Sequence, residues 1–415
     1  MKKLVIIVTH PIQYYVPIFR LLAKQCKLKV LYTWGEDGIR PKYDPDFGKT
    51  ISWDLPLLEG YQYEVLENIA KQPGSHHNKG IINPNIIKKI TSFAPDVILI
   101  YGYNYHSHFK VMRHFKGKIP IWFRGDSTLL NEQIGFKAII KKIYLRLIYG
   151  FVDKAFYVGT NNKIYFKNYG LKESQLFSAP HAVDIEHFAE NRAAEARDLR
   201  KKIGIKQDDI LILFAGKFEP KKNPELLMTA FLELTLGKST NLGSLKNSQS
   251  LFEVTKKENI HLLFVGNGIL EENLKSMHTK NSTSKITEQI VKQIHFMDFQ
   301  NQKQMPIVYQ ACDIFCLPSQ GPGETWGLAV NEAMAAGKAI IVSNKVGCAV
   351  DLVKNGSNGY IFKSNNINDL KEKLSLIINQ TDLINSFGKQ SREIIENWRF
   401  EHQVEQFITN LNATN

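Results

Sequence analysis

The chain has 415 residues and carries 53 Lys and Arg against 40 Asp and Glu, a formal net charge of +13. Hydrophobic residues make up 43% and charged residues 22%, an ordinary globular composition that excludes a disordered chain, a collagen-like repeat and a coiled coil. At about 100–200 residues per domain this length predicts two or more domains, and the 4 cysteines are too few for a disulfide scaffold and point to a reducing, cytoplasmic setting.

The N-terminal apolar run Leu4–Val8 is shorter than the roughly 7–15 residues of a signal-peptide core and is broken by His10-Pro11, so it reads as a first buried strand. No uncharged apolar stretch reaches about 18 residues, so none reads as a membrane span. Apolar runs then alternate with amphipathic stretches. Leu4–Val8 precedes a helical pattern over 16–25 and the run Leu28–Thr33, and Asp96–Gly102 precedes a helical pattern over 106–115 and the run Ile119–Gly125. A second series comprises Ile210–Gly216, His261–Gly268, Ile294–Phe299, Cys312–Ser319 and Ala339–Asn344. Strands alternating with helices predict parallel sheets of βαβ units, and the lack of polar alternation within the runs predicts burial on both faces. A polar stretch over 190–208 marks a boundary. The expected architecture is α/β, with Rossmann-like domains over 1–190 and 205–390 and a terminal helix over 391–415 that can pack back on the first domain. Segments 237–257 and 277–288, rich in Ser, Asn, Lys and Thr, read as surface insertions.

Ligands of open α/β sheets bind beyond the carboxyl ends of the strands, so the residues after each strand carry the functional signal. Lys217 and Lys222 follow Ile210–Gly216 and precede Asn223-Pro224-Glu225, a good helix start. Two lysines beside a helix N-terminus suit a diphosphate, although solvated surface lysines would read the same. Gly266-Asn267-Gly268 could let backbone approach a flat ligand closely, and the missing third glycine counts against a dehydrogenase. The densest stretch runs from Gly321 to Gly337, a glycine-rich loop entering an Ala-rich helix. Amides around Thr325, Trp326, Gly327 and Leu328 lie at its positive end. Glu324 in the loop and Glu332 in the helix could together accept sugar hydroxyls. One capping and one surface glutamate is the plainer alternative.

ETWGLAVNE (324–332) followed by AMAAG resembles the signature of retaining GT-B glycosyltransferases of family four. GKFEPKKNPELL (216–227), FVGNG (264–268) and DIFCLPS (313–319) resemble that family's other elements and occur in its order. THPIQYYVPIFR (9–20) is similar to a subset of bacterial enzymes that make surface polysaccharide, and HAVDIEHF (181–188) to the family's turn before the inter-domain linker. The resemblance implies two Rossmann-like domains facing across a cleft and a nucleotide-sugar donor. Lys217 and Lys222 would neutralise the diphosphate, Glu332 would hold the ribose, and Glu324 with the amides of Thr325, Trp326 and Gly327 would hold the transferred sugar. Gly266 and Asn267, and His10 and Gln13 of the first loop, are further donor-binding candidates. Where the family commonly has a histidine, this chain has Arg124-Gly125-Asp126, so Arg124 and Asp126 are candidates for the reacting sugar. No metal and no cofactor beyond the nucleotide-sugar substrate are implied.

The remaining features are less specific. Tyr101, Tyr103, Asn104, Tyr105, His106 and His108 could line an acceptor pocket or form a surface loop. Residues 137–151 place Ile139, Ile140, Ile143, Tyr144, Leu147 and Ile148 on one helical face, with Lys141, Lys142 and Arg146 opposite and Leu145 out of pattern. Peripheral contact with an anionic membrane would use such a helix, but a core-packing helix with snorkelling lysines is the reading preferred from sequence. Cys312 and Cys316 lie on one apolar strand without a zinc-spaced set. The expected partners are a nucleotide-sugar donor and a glycan or lipid-linked acceptor at the inner face of the membrane. A sugar-nucleotide epimerase or phosphorylase of the same fold is the alternative. Nucleic acid is not expected, because the lysines are scattered and no nucleic-acid motif is present.

Overall fold

A computed structural model describes residues 1–44, 49–51, 53–130, 132, 135–236, 259–280 and 290–414. The chain divides into two units. The first comprises Met1–Lys42, Ile51–Val183 and Trp398–Asn415, and the second Tyr43–Thr50 and Asp184–Asn397.

In chain order the early strands are β1 (Lys3–Val8), β2 (Lys27–Tyr32), β3 (Lys42–Asp44), β4 (Lys49–Ile51), β5 (Tyr63–Val65), β6 (Val97–Tyr101), β7 (Ile121–Arg124), β8 (Lys154–Tyr157) and β9 (Leu176–Ser178). Strands β3 and β4 pair by themselves, and the others form a sheet in the order β5-β2-β1-β6-β7-β8-β9. Its pairs are parallel, with Ile6 opposite both Val30 and Leu99. Successive side chains of a strand point to opposite faces, and the core follows that rule. Val5 and Ile7 join Ile98, Ile100 and Phe123 under the helices that carry Ile86, Ile90, Val111 and Met112. Leu4, Ile6 and Val8 join Val30, Leu99 and Phe156 on the other face, under Ile18, Phe19 and Leu22 of the helix Val16–Ala23. That face is completed by Phe400, Val404, Phe407 and Leu411 of the helix Phe400–Asn412. Near the chain end, Lys154 donates to the Asn410 side chain at 2.9 Å and Lys2 to the Thr414 carbonyl at 2.7 Å.

The second unit contains β10 (Ile210–Ala215), β11 (Ile260–Val265), β12 (Ile294–Met297), β13 (Ile314–Leu317), β14 (Ala339–Ser343) and β15 (Gly359–Phe362), in the order β12-β11-β10-β13-β14-β15. All its pairs are parallel. The sheet order reverses between β10 and β13, the switch point where doubly wound sheets bind ligands. Both units are therefore the Rossmann-like halves expected.

Some expectations shift in detail. The division falls at Val183 rather than at 190, because Asp184 caps the helix Ile185–Ala189 by accepting from the His187 amide at 3.0 Å. Helix Ala193–Lys202, inside the stretch read as a polar boundary, belongs to the second unit. Its Arg200 is buried against the Ala311 carbonyl at 2.8 Å and Asp313 at 3.1 Å. The single terminal helix read over 391–415 is two, Thr381–Ile395 and Phe400–Asn412. Strands β5, β8, β9 and β15 were not read from sequence. They hold only three or four residues each, and none is buried along its whole length. The segment 237–257 and most of 277–288 lie outside the described residues.

The helix Phe136–Tyr149 overturns a preference. Its inward face is Leu145, Ile148 and Tyr149, while Ile139, Ile140, Ile143, Tyr144 and Leu147 are exposed. Of the face read as core-packing, only Ile148 packs inward. Leu145, out of pattern in sequence, is out of pattern because it belongs to the opposite, buried side. No helix among the described residues is long and apolar enough to cross a membrane.

Candidate active site

The switch point of the second unit is built by three loops. After β10 the chain passes Gly216 and Lys217, makes a short 3-10 turn over Pro220–Lys222, and enters the helix Pro224–Leu236 through Asn223 in the left-handed region. After β11 the Gly266-Asn267-Gly268 loop lies against it. The Gly216 amide bonds the Val265 carbonyl at 3.0 Å and the Phe218 amide bonds the Asn267 carbonyl at 2.9 Å. A Cβ on Gly266 would lie 2.1 Å from the Gly216 carbonyl oxygen, and one on Gly268 would lie 2.5 Å from that of Phe218. The close backbone approach that these glycines permit is therefore loop on loop, where a flat ligand was anticipated. The buried Asn267 side chain donates to Glu271 at 3.0 Å and Asp298 at 2.9 Å, and accepts from the Phe299 amide at 2.9 Å. It ties the loop to β12.

The third loop follows β13. Residues 320 and 221 join it to the β10 loop, since the Gln320 amide bonds the Lys221 carbonyl at 2.8 Å. Here the structure brings two predicted residues together: Lys222 Nζ is 2.6 Å from Glu324 Oε2. The two side chains keep only 16% and 8% of their surface in solvent. Ser319 also donates to the same carboxylate oxygen at 3.0 Å. A charge-assisted bond between largely buried partners fixes both groups in place. Lys217 lies on the same loop, half-buried, with its carbonyl accepting from the Glu219 amide at 3.0 Å.

Thr325, Trp326 and Gly327 continue into the helix Leu328–Ala335, with Gly327 at φ 98° as its cap. A Cβ there would meet Val346 at 2.8 Å, so the backbone must be glycine both for its conformation and for its packing. The Trp326 side chain is buried and donates to Asn331 at 2.9 Å. Its indole thus belongs to the interior, and what Trp326 offers the loop is backbone. Glu332 is buried on the same helix and accepts from the Tyr309 hydroxyl at 2.8 Å. Tyr309 in turn packs edge-on against Phe188, ring centroids 5.8 Å apart.

The first unit holds its candidates after β1 and β7. His10 accepts or donates at 2.8 Å with Thr9 and meets Trp34 edge-on at 5.2 Å. Gln13 lies half-buried in the turn closed by the Tyr15 amide on the Ile12 carbonyl at 2.9 Å. Arg124 ends β7 with 1% of its surface exposed and donates to the Ala179 carbonyl at 2.6 Å. Burial pulls its guanidinium below the usual value, against the opposing pull of Tyr101, Tyr15 and Asp126. Asp126 is far more open, with 46% of its side chain exposed, and lies 4.0 Å from His181 Nε2. Burial first and the Arg124 charge second hold His181 well below the usual histidine range, so that it is neutral. The Tyr15 ring stacks parallel to that of His181 at 6.5 Å. The Tyr-rich stretch after β6 divides. Tyr101 and His108 are buried, Tyr103 and Tyr105 are half-buried, and Asn104 and His106 are exposed.

Sequence reasoning missed Ser319, Tyr309, Tyr15 and His181 as parts of these constellations. Ser319 carried a signal, a hydroxyl two residues past the end of a buried strand. Tyr309 carried none, since its helix Met305–Ala311 reads as plain core. The four cysteines are buried and unpaired. Among the described residues no group of His, Cys, Asp and Glu is arranged to hold a metal ion.

The chain is similar to several known glycosyltransferases. An uncharacterized glycosyltransferase of Haemophilus influenzae is 32% identical over 147 residues, covering 35% of this chain and 38% of that protein. The N,N'-diacetylbacillosaminyl-diphospho-undecaprenol alpha-1,3-N-acetylgalactosaminyltransferase of Campylobacter jejuni is 25% identical over 287 residues, covering 66% of each. The chain thus spans less than two thirds of the length of these curated relatives. Among solved structures, Anabaena HepE in complex with UDP and glucose shares the fold with a TM-score of 0.67 at 16% identity, with all of both chains covered. The family described as glycosyl transferases group 1 matches residues 195–394, which hold all three switch-point loops. Residues 195–394 thus match the family of glycosyl transferases group 1.

Proposed function

We propose that the protein is a retaining glycosyltransferase that moves a sugar from a nucleotide-sugar donor to a hydroxyl of a glycan or lipid-linked acceptor, in the synthesis of cell-surface polysaccharide. The observation that carries this reading is the buried Lys222–Glu324 pair at the switch point of a group 1 domain. An ammonium has three donors. One of those of Lys222 is on Glu324, which leaves two for a diphosphate, and Lys217 adds a second positive charge on the same loop. In the reaction the bond from the anomeric carbon to the phosphate oxygen breaks and its electron pair leaves with the nucleoside diphosphate. The acceptor oxygen attacks from the same face, and its proton passes to the departing phosphate oxygen. Negative charge grows on the diphosphate as the bond loosens. Lysines already in place stabilise it without reorganisation. Glu324 holds the transferred sugar and Glu332 the ribose. Arg124, Asp126, His10 and Gln13 are this reading's further candidates in the first unit, for the sugar and the donor. Metal and cofactor have no part in this reading.

The Campylobacter relative, whose name includes a diphospho-undecaprenol-linked sugar, supports a lipid-linked acceptor. Such an acceptor is met at a bilayer, which brings peripheral contact through residues 137–151 into the same reading. The test is a thermal-shift screen of nucleotide sugars, since a ligand at about 100 times its Kd stabilises the native state by roughly 2.7 kcal/mol. A donor should raise the transition of the wild type, and Glu332→Ala should weaken its binding by about 1.5–3 kcal/mol, the range for a hydrogen bond to a charged group. Equal donor affinity in a folded Glu332→Ala variant, read by calorimetry, would remove the ribose role.

A further inference from the structure

We infer that the helix Phe136–Tyr149 is an interfacial anchor that seats the first unit on an anionic lipid surface, with Phe136, Ile139, Ile140, Ile143, Tyr144 and Leu147 as the inserted face. As an account of where acceptor is met, this rests on the proposed lipid-linked acceptor. As a surface, it stands on its own geometry.

The helix has three sides. Leu145, Ile148 and Tyr149 pack into the core. The six residues of the proposed face are instead between 44% and 76% exposed, an unusual density of large apolar side chains for one stretch of monomer surface. At about 100° per residue, Phe136, Ile143 and Leu147 lie within some 40° of one another, with Ile139 and Ile140 on either side. Lys142 and Arg146 then border one edge of the stripe and Lys137 the other. None of these three cations makes an ion pair among the described residues, whereas Lys141, on the core side, is held by Glu132 at 2.7 Å. An apolar front with unpaired cations on both flanks and a back fixed in the core matches a surface lying in the headgroup plane of an anionic leaflet.

The Arg146 edge opens on a cavity of about 550 Å³ lined by Lys116, Arg146, Gly150, Asp153, Gly170 and Gln175. Lys116 is neutralised there by Asp153 at 2.6 Å, so Arg146 is the cation left for a lipid phosphate. Charge also decides between a bilayer and a second copy of the chain. A two-fold contact through this face would gather Lys137, Lys142 and Arg146 from both copies around one apolar seam, while an anionic leaflet neutralises them.

The experiment is flotation of the full chain with vesicles of phosphatidylcholine alone and of phosphatidylcholine with phosphatidylglycerol, at low and high salt. Lipid-free light scattering and nucleotide-sugar thermal shift are run on the same preparations. The wild type should float with the phosphatidylglycerol vesicles and lose most of that binding at high salt. Ile143→Asp with Leu147→Asp should abolish it. Lys142→Glu with Arg146→Glu should lower it by at least an order of magnitude, since each basic residue near such a surface is worth roughly fivefold. Ile143, Arg146 and Leu147 are exposed and Lys142 is half-buried without an ion pair among the described residues, so every variant should keep its unfolding transition and its nucleotide response. Failure of the wild type to float at low salt overturns the anchor, as does equal flotation of the Asp variant. A lipid-free dimer that Ile143→Asp dissociates assigns the face to a second copy and also overturns it. A nucleotide response without flotation refutes the anchor alone, and flotation without a nucleotide response refutes the donor reading alone.

Discussion

Replacing Lys222 by methionine separates the structural from the catalytic work of one side chain. In the native protein its ammonium is 2.6 Å from Glu324, and the carboxylate's other side-chain partner is the Ser319 hydroxyl at 3.0 Å. Both members of the pair are largely withdrawn from solvent. Removing the cation leaves a buried carboxylate with one neutral donor, and breaking such a pair costs about 3–5 kcal/mol. A unit of this size shifts its midpoint by roughly 2–4 °C per kcal/mol, so Lys222→Met should melt about 6–20 °C lower. Adding Glu324→Gln removes the stranded charge while keeping an acceptor for Ser319. The double variant should therefore recover most of the lost stability. Turnover should not recover, because the diphosphate still lacks its cation. The assays are scanning calorimetry and release of nucleoside diphosphate from whichever donor shifts the transition. A double variant as unstable as the single one would refute the argument that Glu324 is a buried charge held by Lys222. A double variant that regains turnover would refute the role of Lys222 at the diphosphate.

Acid should weaken the first unit through His108. Its Nδ1 lies 2.9 Å from the Gly102 carbonyl and its Nε2 2.9 Å from the Thr33 hydroxyl, and burial pushes its pKa down to about 4. The unfolded chain takes up this proton near the ordinary value of about 6.5. Stability is thus fully present above that pH and is lost as pH falls from there toward 4, by roughly 3 kcal/mol in all. His108→Gln should flatten the dependence in urea titrations across that window, and an unchanged slope would contradict it. Gly347→Ala tests the packing of the Glu324 loop. A Cβ at Gly347 would lie 1.7 Å from the Thr325 carbonyl oxygen, so the loop must move. The variant should lose about 1–3 kcal/mol together with its donor-induced thermal shift. A donor response equal to wild type would show that the position of this loop is not needed for binding.

The order of strands and helices, the doubling of the α/β unit and the elements of the group 1 family were legible in the sequence, because each depends on residues close together in the chain. Strand β10 is six consecutive buried residues and Gly327 precedes an apolar helix, and both leave local patterns. The positions of Lys222 and Glu324 were also legible, as residues that follow strands in a sheet whose ligands lie at strand ends. Their contact with each other was not. They are 102 positions apart, and only the parallel pairing of β10 with β13 brings their loops side by side. The same holds for Tyr309 on Glu332 and for Arg124 on Ala179, 23 and 55 positions apart. Helix 136–149 shows the limit most plainly. Its sequence showed one apolar face with cations opposite and Leu145 out of pattern, but periodicity records only which residues share a side. Which side meets the sheet depends on Phe123, Phe166 and their neighbours, and those lie elsewhere in the chain. Tertiary packing chose Leu145, Ile148 and Tyr149 for the core and left the larger apolar side facing out.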